Sequence, residues 1–115
     1  MFQMDKPMPT HSSWRDHTGS RADKHFKSTV FQGDHLMIGL NCLDPGQSQH
    51  VHAHADADKA YVVMEGRGLF TVGDETFEAG PGEIVWAAKG VPHGVENKSA
   101  ERLTVLVAIA PPPSS

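Results

Sequence analysis

The sequence is poor in cysteine, in aromatic residues and in long apolar runs, and each shortage excludes something. Of its 115 residues only Cys42 is a cysteine, so no disulfide can form within the chain. The start, MFQMDKPMPT, has no apolar stretch of signal-peptide type, and with the lone thiol this makes the cytoplasm the expected compartment. Aromatic residues make up 7% of the chain and never alternate with basic ones, and the formal net charge is -4. That balance argues against a binder of polyanions, so no nucleic-acid partner is expected. The longest apolar stretch, Leu103 to Ala110, is too short to span a bilayer and no lipidation signal is visible, so no membrane partner is expected either. No segment sustains a 3.6-residue apolar period, so helices do not organise this chain.

What is present is the composition of a soluble single domain, 38% apolar and 21% charged, with an unusual eight histidines. Residues 1–24 are polar and Pro-punctuated and read as an N-terminal arm, in which Trp14 is the residue expected to dock. From His25 onward short β-branched and aromatic runs (HFKSTVFQ, HLMIGLNCL, AYVVMEG, GLFTV, ETFEA, EIVWAA, RLTVLVAIA) alternate with Gly, Pro and Asp turns. This spacing predicts an all-β sandwich or barrel over residues 25–110, followed by a solvated Pro/Ser tail at 111–115 to which no binding role is assigned. Cys42 falls on the same parity as Leu36, Ile38 and Leu40, which reads as a buried, inert thiol and not a nucleophile. Tyr61, Phe70 and Trp86 read as core or pocket-lining aromatics, and Glu65 and Glu83, beside turn glycines, as solvated.

The chemistry is concentrated in GQSQHVHAHADADKAYVVMEG, from Gly46 to Gly66. His50, His52 and His54 recur at every second position, and on a regular strand such residues share one face. Three imidazoles on one face suit a first-row metal ion, with His93, held by a tight Gly90-Val91-Pro92 turn, as a further ligand from elsewhere in the barrel.

Both stretches resemble the two motifs of the cupins. The first cupin motif is matched by Gly46, His52, His54 and Gly66, and the second by Gly82, Gly90, His93 and Asn97. The resemblance covers about residues 26–110 and implies a single-domain cupin jelly-roll barrel with an extended N-terminal arm. It further implies one divalent transition metal (Fe, Mn, Zn or Ni) on His52, His54 and His93, and a homodimer. Two positions depart from the family pattern. Ala88 replaces a proline, and the carboxylate of the first motif is missing: Lys59 stands there, with Asp58 just before it.

Three arrangements of the remaining shell stay open at this point. Asp58 completes it, or His50 does, or water fills it while Lys59 pairs with an anionic substrate group. His50 and Lys59 are the candidate catalytic residues, whereas Asp56 and Asp58 also read as ordinary turn residues. The family's recurring chemistries imply a metal-dependent enzyme on a small organic molecule, of dioxygenase or isomerase type. The alternative is a non-catalytic cupin that binds or senses a small molecule through its metal.

Overall fold

Strands form where the β-branched and aromatic runs fall, and several of the turns between them use glycines at positive φ. The computed structural model describes residues 9–53 and 56–113. A short 3-10 turn, Trp14–His17, precedes nine described strands: β1 Phe26–Gln32, β2 Met37–Leu43, β3 Ser48–His52, β4 Asp58–Glu65, β5 Gly68–Val72, β6 Glu75–Ala79, β7 Ile84–Ala87, β8 His93–Glu96 and β9 Leu103–Ala110. They build two antiparallel sheets, a larger one in the order β1-β2-β9-β4-β7 and a smaller one in the order β3-β8-β5-β6. This is the all-β architecture expected from the strand spacing, in the jelly-roll form that the cupin resemblance implies, with the core between the inner faces.

Alternation along β4 sets the inner face: Lys59, Tyr61 and Val63 are buried while Asp58 is exposed. Cross-strand register carries that face through the larger sheet, where Tyr61 lies beside Val107 and Val85, and Lys59 beside Ile109 and Ala87. Toward β1 and β2 the sheet is buried on its other face too. Leu40, Cys42 and Thr104, which point away from the core, are each no more than 1% exposed. The arm crosses this end of the outer face. Ser28 Oγ donates to the His17 carbonyl at 2.7 Å, and the Phe26 ring lies so close to Gly19 that a Cβ there would be 2.6 Å from it. Farther along, Gln47 Nε2 donates to the Arg21 and Lys24 carbonyls. The buried thiol expected at Cys42 is therefore found, but between sheet and arm and not in the main core.

The smaller sheet departs from regular alternation at the histidines. Gln49 pairs with Val95 and His52 with His93, with an irregularity between, so one residue more stands on β3 than on β8. The face flips across that bulge. Gln49 and His52 both line the interior cleft, whereas His50 lies exposed on the outer surface of the sheet. Gly94 makes this packing possible, because a Cβ there would stand 2.8 Å from both Gln49 O and Val51 N. Gly94→Ala should therefore push β3 off β8, at a cost of about 2 kcal/mol. Denaturant unfolding, with the His52 ring resonances as a local reporter, measures both effects. Unchanged stability and unchanged His52 shifts would show that the bulge does not depend on this contact.

Candidate metal centre

His52 and His93 face each other because their strands pair them, with ring centroids 4.7 Å apart and planes inclined at 56°. Each ring is oriented by its own backbone. His52 Nδ1 lies 2.8 Å from the His50 carbonyl, and His93 Nδ1 lies 3.0 Å from the Val91 carbonyl. A carbonyl oxygen only accepts, so Nδ1 carries the proton in both rings, and in the neutral imidazole the lone pair is on Nε2. Backbone-anchored Nδ1–H with Nε2 as the donor is how metal-binding imidazoles are usually held. The donor chemistry thus fits a divalent metal. His54, the third expected ligand, lies outside the described residues, and among the described residues no three His, Cys, Asp or Glu side chains form a metal-sized group.

The structure does not bring the other two candidate ligands to these rings. Asp58 is exposed on the opposite parity from Lys59, and its Oδ1 accepts the Lys89 N–H at 2.9 Å. His50 is turned outward by the bulge. In this placement neither Asp58 nor His50 reaches the His52–His93 pair.

The cup next to these rings is a cleft of about 770 Å3, a size that suits a small organic ligand. Its wall includes His52, Gln49, Lys59, Asn41, Lys27 and Ile109. Lys27 and Asn41 are register partners on the inner face, and so are Thr29 and Gly39. Gly39 leaves the middle of that wall without a side chain, and a Cβ there would stand 2.7 Å from Ser28 O. Pro111, Pro112 and Pro113 also line the cleft, so these residues of the tail, to which the sequence assigns no role, are part of its wall. Asp56 is an exposed residue of the same wall.

Beneath the rings, Tyr61 is 6.0 Å from His93, centroid to centroid, and its hydroxyl faces Gln49 Oε1 at 3.5 Å. Burial pushes the Tyr61 phenol well above its ordinary range, so it stays a neutral donor. Asn97, the last residue of the second motif, has a structural part: its amide donates to the Leu43 and Glu101 carbonyls and accepts from Ser99. Trp86 is not a pocket aromatic; it is 58% exposed on the outer face. Gln49, Asn41 and Lys27 are cup residues that the sequence did not reveal. The bulge re-aims Gln49, and the polar side chains of β1 and β2 sit on the parity that alternation alone assigns to solvent.

Two antiparallel sheets enclosing a cup with paired histidines at one wall define a double-stranded β-helix. The chain belongs to the cupin family, whose domain model matches residues 39–109. It is 39% identical over 79 residues to an uncharacterized protein of Streptomyces coelicolor, covering 69% of this chain and 73% of that one. It is also similar to the crystal structure of the protein TT1209 from Thermus thermophilus, with a TM-score of 0.86, 37% identity, and 90% and 98% of the two chains covered. A likeness of fold alone extends to a predicted oxalate decarboxylase from Thermotoga maritima, with a TM-score of 0.70, 20% identity, and 75% and 79% coverage. No described helix is long and apolar enough to cross a membrane.

Lys59 is the electrostatic anomaly of the cup. The residue is 5% exposed, and its Nζ lies 5.1 Å from the centroid of the Tyr61 ring, a modest compensation for lost water. Burial, and secondarily the charge of Lys27, lowers the ammonium from 10.5 to about 8. The folded protein thus holds this proton less tightly than the unfolded chain, which binds more protons between about pH 8 and 10.5. Stability should rise with pH through that window, the deficit below it reaching roughly 3 kcal/mol. Lys59→Met should remove this slope and raise the stability of the ligand-free protein at pH 7 by about 1–3 kcal/mol. Denaturant titrations at about pH 7 and pH 10.5 test it, and a variant that is less stable than wild type at neutral pH would contradict the buried charge.

Proposed function

We propose that the protein is a metal-binding cupin in which His52, His54 and His93 hold one divalent transition metal, with a small organic molecule bound in the cup beside it. The observation that carries this reading is the pairing of His52 with His93, each with Nδ1 tied to a main-chain carbonyl. A metal held by three imidazoles leaves positions for ligand, and supplies oxygen chemistry of dioxygenase type if it is Fe or Mn, or Lewis-acid chemistry of isomerase type if it is Zn or Ni. Around it the chain's own groups orient and enclose: Tyr61 braces Gln49, Asn41 and Gln49 offer amide hydrogen bonds, and Ile109 and the prolines exclude water. With His50 outside, the proton carriers of the cup wall apart from the metal-site histidines are Lys27, Lys59 and Asp56. The scarcity of acid–base groups favours, as a second reading, a cupin that binds or senses a small molecule without turning it over.

Elemental analysis of untagged protein decides between outcomes. Near-stoichiometric Fe, Mn, Zn or Ni is expected in the wild type and in Asp58→Ala, and at least a roughly tenfold weaker affinity in His52→Ala and His93→Ala. Wild-type protein that stays metal-free after reconstitution would end the metal reading.

We also propose a homodimer through the outer face of the larger sheet. Register aligns Ile38, Ala108, Ala60 and Trp86 in one row, and Leu40, Leu106, Val62 and Ile84 in the next. No charged residue interrupts these rows across four strands, and Ile84 and Trp86 are 71% and 58% exposed on the edge strand β7. Such a face suits a second copy about a two-fold axis, where each Trp86 would meet the apolar rows of the other chain. Light scattering should give a dimer for wild type and a monomer for Ile84→Asp/Trp86→Glu. A wild-type monomer at micromolar concentration would refute it.

A further inference from the structure

The cup contains two cations, Lys59 and Lys27, and two amides, Asn41 and Gln49, none of which is needed to hold the metal. Among the described residues Lys59 forms no ion pair, and the three ion pairs present, Arg21–Asp23, Arg67–Glu78 and Arg102–Asp44, all lie elsewhere. An ammonium on a residue only 5% exposed, without a counter-charge, is a costly arrangement, which a fold keeps where an anion completes it. Lys27 lines the same cleft, and its charge reaches Lys59 unfavourably. Asp56, the carboxylate on the cleft wall, is exposed and bonds to neither lysine. Asn41 is only 6% exposed, faces the cleft, and its amide has no hydrogen-bond partner among the described residues. Gln49 accepts from Tyr61 at its carbonyl end, which leaves its NH2 end as a donor.

We propose that this wall is a carboxylate subsite: the carboxylate of a small organic acid pairs with Lys59 and hydrogen-bonds Asn41, with Lys27 closing over it. Its carbon skeleton then lies against Met37, Val107 and Ile109 and reaches toward His52. A carboxylate fits better than a phosphate. One deep ammonium matches a single charge, and among the described residues no glycine-rich loop or helix N-terminus lines the cleft to cradle a phosphate dianion. The reacting end at His52 rests on the metal reading, but the anion subsite stands on the lysines and amides and does not.

The test is titration of the full chain, metal-free and metal-loaded, with butyrate, succinate, butyramide and inorganic phosphate, followed by backbone and side-chain NMR shifts. Butyrate and succinate are expected to move Asn41 and Ile109 in both forms of the protein, and butyramide to bind far more weakly. Lys59→Met should weaken carboxylate binding about ten- to a hundredfold, and Lys27→Met about threefold. Its own thermal unfolding shows that the Lys59 variant is folded. Equal binding to wild type and Lys59→Met, stronger binding of phosphate, or no carboxylate shifts in the cleft would each overturn the subsite. Carboxylate binding that persists in a protein unable to take up metal would leave the subsite standing and remove the metal reading. Metal uptake with carboxylate binding indifferent to Lys59 would do the reverse.

Discussion

The geometry of the cup depends on one pairing, His52 opposite His93, and that pairing depends on an extra residue in β3. A regular strand would place His50 and His52 on the same face, and with the register set by Gln49 and Val95 it would turn His52 toward solvent. The bulge between Gln49 and His52 reverses the parity, so Gln49 and His52 enter together. Gly94 then lets the two backbones approach where the extra residue crowds them. Once the strand is seated, its main chain completes the site, because the His50 carbonyl that faces inward is the acceptor for His52 Nδ1. His50 thus contributes through its backbone, and its imidazole is free to face the outside.

The second constraint is that the larger sheet is covered on both faces at its β1-β2 end. Ordinarily an apolar parity marks the core side of a strand, and the polar parity marks water. In β1 and β2 this inverts. Phe26, Leu40 and Cys42 are covered on the side the arm crosses, and Lys27, Thr29 and Asn41 face the cup. The arm therefore has a functional consequence: by covering the outer face at the β1-β2 end it releases the inner face there from having to be apolar. A cup that must hold a polar molecule can then be lined with amides and ammonium groups, while the remaining inner positions, from Tyr61 to Leu103, form the core.

These two constraints explain what could be read from the chain and what could not. The strand-turn order was legible because turns are local chemistry, and all four motif glycines, Gly46, Gly66, Gly82 and Gly90, take positive φ. Lys59 facing inward was legible from the parity of Tyr61 and Val63. Asp58 as a ligand was not, because three- and four-residue spacings after His54 are equivalent on paper, and only the pairing of Asp58 with Ala110 decides its face. His50 failed for a related reason, since nothing in SQHVH announces a bulge. Trp86 read as buried because which strand ends at a sheet edge is a matter of topology, not of local pattern. Docking of the arm left no apolar signature either, since its backbone carbonyls accept from Ser28 and Gln47 of the barrel.

Lys59 connects stability to the cup's purpose. Methionine has a similar shape and would carry none of the desolvation cost, so packing alone does not account for an ammonium at this position. The surrounding groups do not neutralise it: Tyr61 offers only its ring face, Lys27 adds a like charge, and Asp58, its neighbour in the chain, is turned outward to the Lys89 N–H. A site left short of one negative charge is less stable when empty and gains most from an anionic occupant, since binding then removes a cost that the empty protein carries. The same arithmetic would disfavour a neutral molecule of equal shape, which would leave the ammonium buried and unpaired.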